Sequence, residues 1–208
     1  MKKLFLTSVF KNVADELVGI LPSPANQLTV AFVPTAADVY EDKWFEEADR
    51  DKLVEMGFKI IDLPLKNRVK DEVEKILKKA DVIFVAGGNT FYLLEQTRAS
   101  GFIELTPKLV NNGIIYIGSS AGSYLACPTI EVANWKHQDR NIVGLTDLTA
   151  LSLVPFLMSV HYNPEYDDSL KQGIAQTKYP VKILTDNQAL IVQEDEVKLV
   201  GQGEEIKL

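Results

Sequence analysis

The chain has one cysteine, two histidines and more acid than base: 29 Asp and Glu against 22 Lys and Arg, a formal net charge of -7. Each shortage excludes something. A lone Cys127 forms no internal disulfide and no multi-cysteine zinc site, and it fits a reducing cytoplasm. The acidic balance speaks against a nucleic-acid partner, which asks for a basic face. No apolar run approaches the ~20 residues that span a bilayer, so no membrane partner is expected. The opening MKKLFLTSVF has the lysines and apolar run of a secretory signal. That run is short, however, and Lys11, Asp15 and Glu16 follow it without a small-residue cleavage site. It reads instead as a first strand feeding a helix around NVADELVGIL. There is no repeat, no low-complexity stretch and no linker rich in Pro, Gly or Ser. With 208 residues, 46% of them hydrophobic, one α/β domain over 1–208 with a sizeable core is expected.

What is present is an alternation. Short runs rich in Val, Ile and Phe (LTVAFVPTA, KIIDLPL, DVIFVAGG, IIYIGS) are separated by charged amphipathic stretches that read as helices. These are DKWFEEADRDKLVEMG over 42–57, DEVEKILKKA over 71–80, TFYLLEQTRASG and ELTPKLVNNG. Strands apolar throughout are buried on both faces, and helices between them imply right-handed crossovers in a mainly parallel sheet. The chain's last third looks richer in strands, and ALIVQEDEVKLVGQG reads as a closing hairpin turning at 194–196. The expected fold is a three-layer α/β sandwich with a C-terminal β-hairpin.

In such sheets ligands sit beyond the carboxyl ends of the strands. Four strand ends carry reactive or glycine-rich residues. Gly87-Gly88-Asn89-Thr90 follows VIFVA, and Ser119-Ser120-Ala121-Gly122 follows IIYIG. His161 follows FLMSV, and Asp186 follows VKILT. Gly118 to Gly122 fits G-x-S-x-G with Ser120 at its centre, the pattern of a serine held on a cramped strand-to-helix turn. Ser119 and Ser123 fall outside that central position, and an ordinary turn with a capping serine would show the same letters. A serine hydroxyl needs a base. Only His137 and His161 carry an imidazole; His137 lies in the polar NWKHQDR, whereas His161 ends an apolar strand. A carboxylate should orient the base. Asp186 qualifies by position, with Glu165, Asp167 and Asp168 as rivals and an Asx turn as its bland alternative. The Ala121 and Gly88 N–H groups are candidate oxyanion donors, and Asn89 beside them is a candidate substrate contact. Phosphate binding at the glycine turn is the weaker reading, because G-x-G-x-x-G spacing and a P-loop lysine are both lacking.

These segments together resemble the peptidase E family of serine peptidases. That family includes aspartyl dipeptidases and, more distantly, cyanophycinases, on a flavodoxin-related fold like that of class I glutamine amidotransferases. The resemblance rests on TVAFVPTAA, AGGNTFYLL, GSSAGS, LVPFLMSVHYNP and TDNQALIV, and so covers most of the chain. It implies Ser120 as nucleophile, His161 as base and Asp186 where the family's acid, often glutamate, falls. It also implies oxyanion donors at Gly88 and Ala121. Aspartyl dipeptidases need a cation for the substrate's acidic side chain. No arginine closely follows His161, which leaves Lys171, Lys136 and Arg140 as the cations to consider.

The implied activity is hydrolysis of small peptides, with a preference for N-terminal Asp in question, through an acyl-enzyme on Ser120 and without metal or organic cofactor. The 128–145 segment with Trp135 is expected to roof the pocket. A homodimer stays open. An esterase or amidase with the same residues, or a non-catalytic binding domain on the same fold, are the alternatives. Cys127, seven residues past the elbow centre, is expected to pack as a small buried hydrophobe rather than to react.

Overall fold

Consecutive Val, Ile, Leu and Phe leave no polar face for water, so such runs form inner strands covered on both sides. The computed structural model, which describes residues 1–136 and 139–208, places them in this way. In chain order the elements are β1 (Lys3–Thr7), α1 (Phe10–Val13), β2 (Thr29–Val33), α2 (Trp44–Glu55), β3 (Lys59–Asp62), α3 (Lys70–Leu77), β4 (Val82–Val85), α4 (Thr90–Ala99) and α5 (Phe102–Asn111). There follow β5 (Ile115–Ser119), α6 (Ala121–Ala126), β6 (Leu157–Ser159), α7 (Asp167–Gln176), β7 (Val181–Ile183), β8 (Gln188–Gln193) and β9 (Glu196–Gly201).

Seven strands make one sheet in the order β3-β2-β4-β5-β1-β8-β9. The first five are mutually parallel; β8 runs antiparallel to β1 and forms the closing hairpin with β9. Alternate residues of each strand enter different cores. Leu4, Leu6, Ala31, Val33, Ile83 and Val85 pack under α3, α4, α5 and α6. Phe5, Val30, Phe32, Phe84 and Ile117 pack under α1 and α2. The result is a three-layer α/β fold. Among the described residues, no helix is long and apolar enough to cross a membrane.

Two local outcomes differ from the sequence expectation. The stretch expected as one helix around NVADELVGIL is α1 followed by a 3-10 helix over Ala14–Ile20. Its buried residues, Ala14, Leu17 and Ile20, recur every third position, which matches three residues per turn. In addition, β6 and β7 do not extend the main sheet. They pair with each other in parallel, Leu157 to Val181 through Ser159 to Ile183, as a separate two-stranded sheet. The flank of β1 is already taken by β8, and Leu157, Met158 and Val160 instead bury against Tyr124 and Leu125 of α6.

Candidate active site

The turn between β5 and α6 is cramped because its neighbours leave no room for side chains. A Cβ on Gly122 would sit 2.1 Å from the Val85 carbonyl oxygen, and one on Gly118 would sit 2.6 Å from Gly122 backbone. Between these glycines Ser120 is forced to φ 50, ψ -107, a conformation that costs a non-glycine residue about 1–3 kcal/mol. The strain persists because the turn is anchored on several sides. Ser120 N–H donates to the Thr7 carbonyl at 3.1 Å, and the Tyr116 hydroxyl donates to the Gly122 carbonyl at 2.7 Å. Ser123, the last serine of the run, is structural: its hydroxyl accepts from Thr7 N–H at 2.9 Å and lies within 2.9 Å of the Gly118 carbonyl. Ser119 turns the other way, accepting from Phe10 N–H at 3.4 Å and bonding the Asp49 carboxyl.

The glycine turn after β4 lies against this elbow. A Cβ on Gly87 would be 3.2 Å from the Ser120 Cβ. Gly88 has φ 138, and a Cβ there would fall 2.2 Å from the Ala36 carbonyl oxygen, so only glycine fits. Asn89 N–H then bonds that same carbonyl at 2.8 Å. The Asn89 side chain caps α4 by accepting from Tyr92 N–H at 2.9 Å and donates to the Arg140 carbonyl at 2.9 Å. The structure therefore assigns Asn89 to the scaffold of the turn. Ala121 N–H opens α6, in the first turn where helical amides lack intrahelical acceptors.

The small sheet supplies the remaining groups. His161 follows β6 with φ 54 and lies 2.9 Å from Ser120 Oγ through Nε2. Its Nδ1 lies 2.6 Å from Asp186 Oδ1, beyond the end of β7. Hydrogen bonds from His161, and then from Ser8, hold the Asp186 carboxyl below its ordinary value against the opposing effect of burial. An ionised Asp186 calls for a proton on Nδ1, which leaves the Nε2 lone pair facing the serine hydroxyl. Such a series can draw a proton from Ser120 into the imidazole.

A cavity of about 560 Å³ opens over these groups. It is lined by Ser8, Ser120, His161, Asp186, Gly87 and Gly88, by the aromatic side chains of Tyr40, Trp44, Phe45 and Tyr124, and by Lys11, Lys136, Asp49 and Asp139. Of the three cations considered from the sequence, only Lys136 reaches it. The ammonium is buried, bonds the Val160 carbonyl and lies 5.4 Å from the Tyr166 ring centroid; burial pulls it down to about 8. Arg140 is exposed and not among the lining residues. Lys171 sits outside as well, on α7, 3.8 Å from Asp167. The rival acids also lie away from the cavity: Glu165 and Asp168 are exposed, and Asp167 accepts from the Tyr162 hydroxyl at 2.8 Å. Trp135 packs against Gly173 of α7 and does not line the cavity. His137 falls outside the described residues. Cys127 is 1% exposed, and burial pushes its thiol up to about 12, which makes it inert.

Comparison with known proteins places the chain in a family. The profile of peptidase family S51 matches residues 4–200. The chain belongs to peptidase family S51. It is 34% identical over 200 residues to an uncharacterized peptidase of Listeria innocua, covering 95% of each chain. To the peptidase E of Salmonella newport it is 36% identical over 159 residues, 74% of this chain and 63% of that one. A 1.5 Å crystal structure from Listeria monocytogenes, provisionally assigned to peptidase E, superposes with a TM-score of 0.86 at 32% identity, covering 98% of this chain and all of the other. A peptidase structure from an acI-B1 actinobacterium shares the fold, with a TM-score of 0.68 at 15% identity.

Three polar residues of the candidate site in this S51 chain gave no signal in the sequence. Ser8 stands in an unremarkable LTS at the end of β1. Asp49 belongs to a helix rich in charge, yet it is 4% exposed, and desolvation raises its carboxyl to about 6. Asp139, in a stretch that reads as a solvated loop, is half-buried; desolvation raises its carboxyl while Thr90 N–H donates to it at 2.9 Å.

Proposed function

We propose that this chain is a serine-type peptidase acting on small peptides. Ser120 Oγ attacks the scissile carbonyl while His161 Nε2 accepts its proton, and the Gly88 and Ala121 N–H groups receive the oxyanion. His161 then returns the proton to the leaving amine. Water, deprotonated by the same imidazole, releases the acyl group from Ser120 and regenerates the hydroxyl. Asp186 holds the imidazole in the required tautomer and offsets the imidazolium charge. The observation that carries this reading is the series of two short bonds, 2.9 Å from Ser120 to His161 and 2.6 Å from His161 to Asp186, at the floor of the cavity.

A cavity of about 560 Å³ suits a short peptide better than a folded chain. Lys136 is our candidate cation for a substrate carboxylate, with Lys11 as a second cation in the lining: Lys136 spends one of its three N–H donors on Val160 and feels the charge of Asp186 and Asp139. An acidic N-terminal residue would compete there with Asp139 and Asp186, so a moderate preference for N-terminal Asp is expected rather than an absolute one. A fluorophosphonate probe should label the protein at Ser120, and Ser120→Ala should lose both labelling and dipeptide hydrolysis. Hydrolysis retained in that folded variant would remove the nucleophile. A panel of Asp-Xaa and Leu-Xaa dipeptides beside aminoacyl esters separates a peptidase from an esterase with the same groups.

A further inference from the structure

Ser120 stands on the main sheet, whereas His161 and Asp186 stand on the two-stranded sheet formed by β6 and β7. Something must fix one against the other to a few tenths of an ångström, because proton transfer depends steeply on distance. Ser8 spans the two with a single hydroxyl. It directly follows β1, the strand whose Thr7 carbonyl accepts from Ser120 N–H at 3.1 Å. Its Oγ accepts from the backbone N–H of His161 at 2.8 Å and donates to Asp186 Oδ1 at 2.7 Å, with His161 Nδ1 3.2 Å away.

We propose that Ser8 is a positioning residue that fixes the His161–Asp186 arm over Ser120, a role that rests on the reading of Ser120 as nucleophile. The hydroxyl has one proton, and its partners determine where it goes. An ionised Asp186 can only accept, and a His161 N–H can only donate, so Ser8 donates to the acid and receives from the backbone. That arrangement leaves Nδ1–H for Asp186 alone and keeps Nε2 as acceptor toward Ser120. The backbone bond also holds His161 at φ 54, a conformation a non-glycine residue does not keep without support. Ser8 is 1% exposed, so water does not compete for these bonds.

The test compares single and double variants by steady-state kinetics and by the rate of fluorophosphonate labelling, with a thermal melt for each. Ser8→Ala should lower kcat about 10- to 100-fold with KM within about twofold, because misplacement of a reacting group by about an ångström costs on that order. Ser8→Thr, which restores the hydroxyl, should recover most of the lost rate. In an Asp186→Asn background, Ser8→Ala should slow labelling by no more than about twofold further, since the hydroxyl acts through that arm. An unchanged kcat in Ser8→Ala would overturn the proposal. So would a loss that multiplies in full with that of Asp186→Asn, or one that appears in KM alone. Labelling that survives Ser120→Ala would instead overturn the nucleophile reading itself.

Discussion

The turn that presents Ser120 and the arm that presents His161 and Asp186 belong to different sheets and are held by different kinds of contact. Around Ser120 the constraints are mainly steric: Gly118 and Gly122 pack so closely that no Cβ fits, Val85 and Thr7 close the remaining sides, and the Tyr116 and Ser123 hydroxyls tie this backbone further. Around His161 and Asp186 the constraints are hydrogen bonds from side chains. Ser8 reaches both, Asn12 Nδ2 donates to the Asp186 carbonyl at 3.0 Å, and the Asp186 side chain is about half exposed. A strained turn in a close-packed wall has one geometry. An arm on a short two-stranded sheet has a geometry only while its polar contacts persist. Damage to the first region should therefore appear as lost stability, and damage to the second as lost rate.

The largest effect should come from the arm. Asp186→Asn should lower kcat about 10⁴-fold, the scale of loss when the acid of such a series loses its charge, while circular dichroism and the thermal midpoint change little. A drop in stability as large as the drop in rate would erase the contrast. The same variant carries a pH signature. The Asp186 carboxyl lies below its ordinary value when folded, so its bonds stabilise the fold in full above that ordinary value and are lost as pH falls through the lowered one. The carboxyl is half exposed and contributes little, so the small difference in urea midpoint between the parent and Asp186→Asn should shrink further in acid.

Next comes the wall. Gly122→Ala drives a methyl to within 2.1 Å of the Val85 carbonyl and should cost about 3 kcal/mol or more, read as a fall in the urea midpoint or as failure to fold. Smaller again is the buried acid behind the elbow. Desolvation lifts Asp49 from 3.8 to about 6, so the folded chain keeps a proton there that the unfolded chain releases. Stability due to this group is complete below pH 3.8 and is lost as pH rises through about 6. Asp49→Asn should thus stabilise the fold at pH 7 by about 1–3 kcal/mol, measured by denaturant titration, and by little near pH 4. The smallest effect sharpens the point about strain. Ser120→Gly should be about 1 kcal/mol more stable than Ser120→Ala, because only glycine accepts φ 50, ψ -107 without penalty.

The amino-acid sequence alone determined the alternation of apolar strands with amphipathic helices, and hence a parallel sheet with covered faces. It also determined which residues stand just past the strand ends, because period and apolar content are local properties that survive in any packing. Tertiary structure decided what those positions meet. The pairing of β6 with β7 apart from the main sheet depends on β8 occupying the flank of β1, a contact between residues nearly 190 positions apart. Ser8 meets His161 across 153 positions and Asp186 across 178, so nothing in its neighbours along the chain could mark it. The same holds for the outcome among Lys136, Arg140 and Lys171: one enters the cavity and two stay outside, as burial is set by the elements packed around a residue rather than by those beside it in sequence.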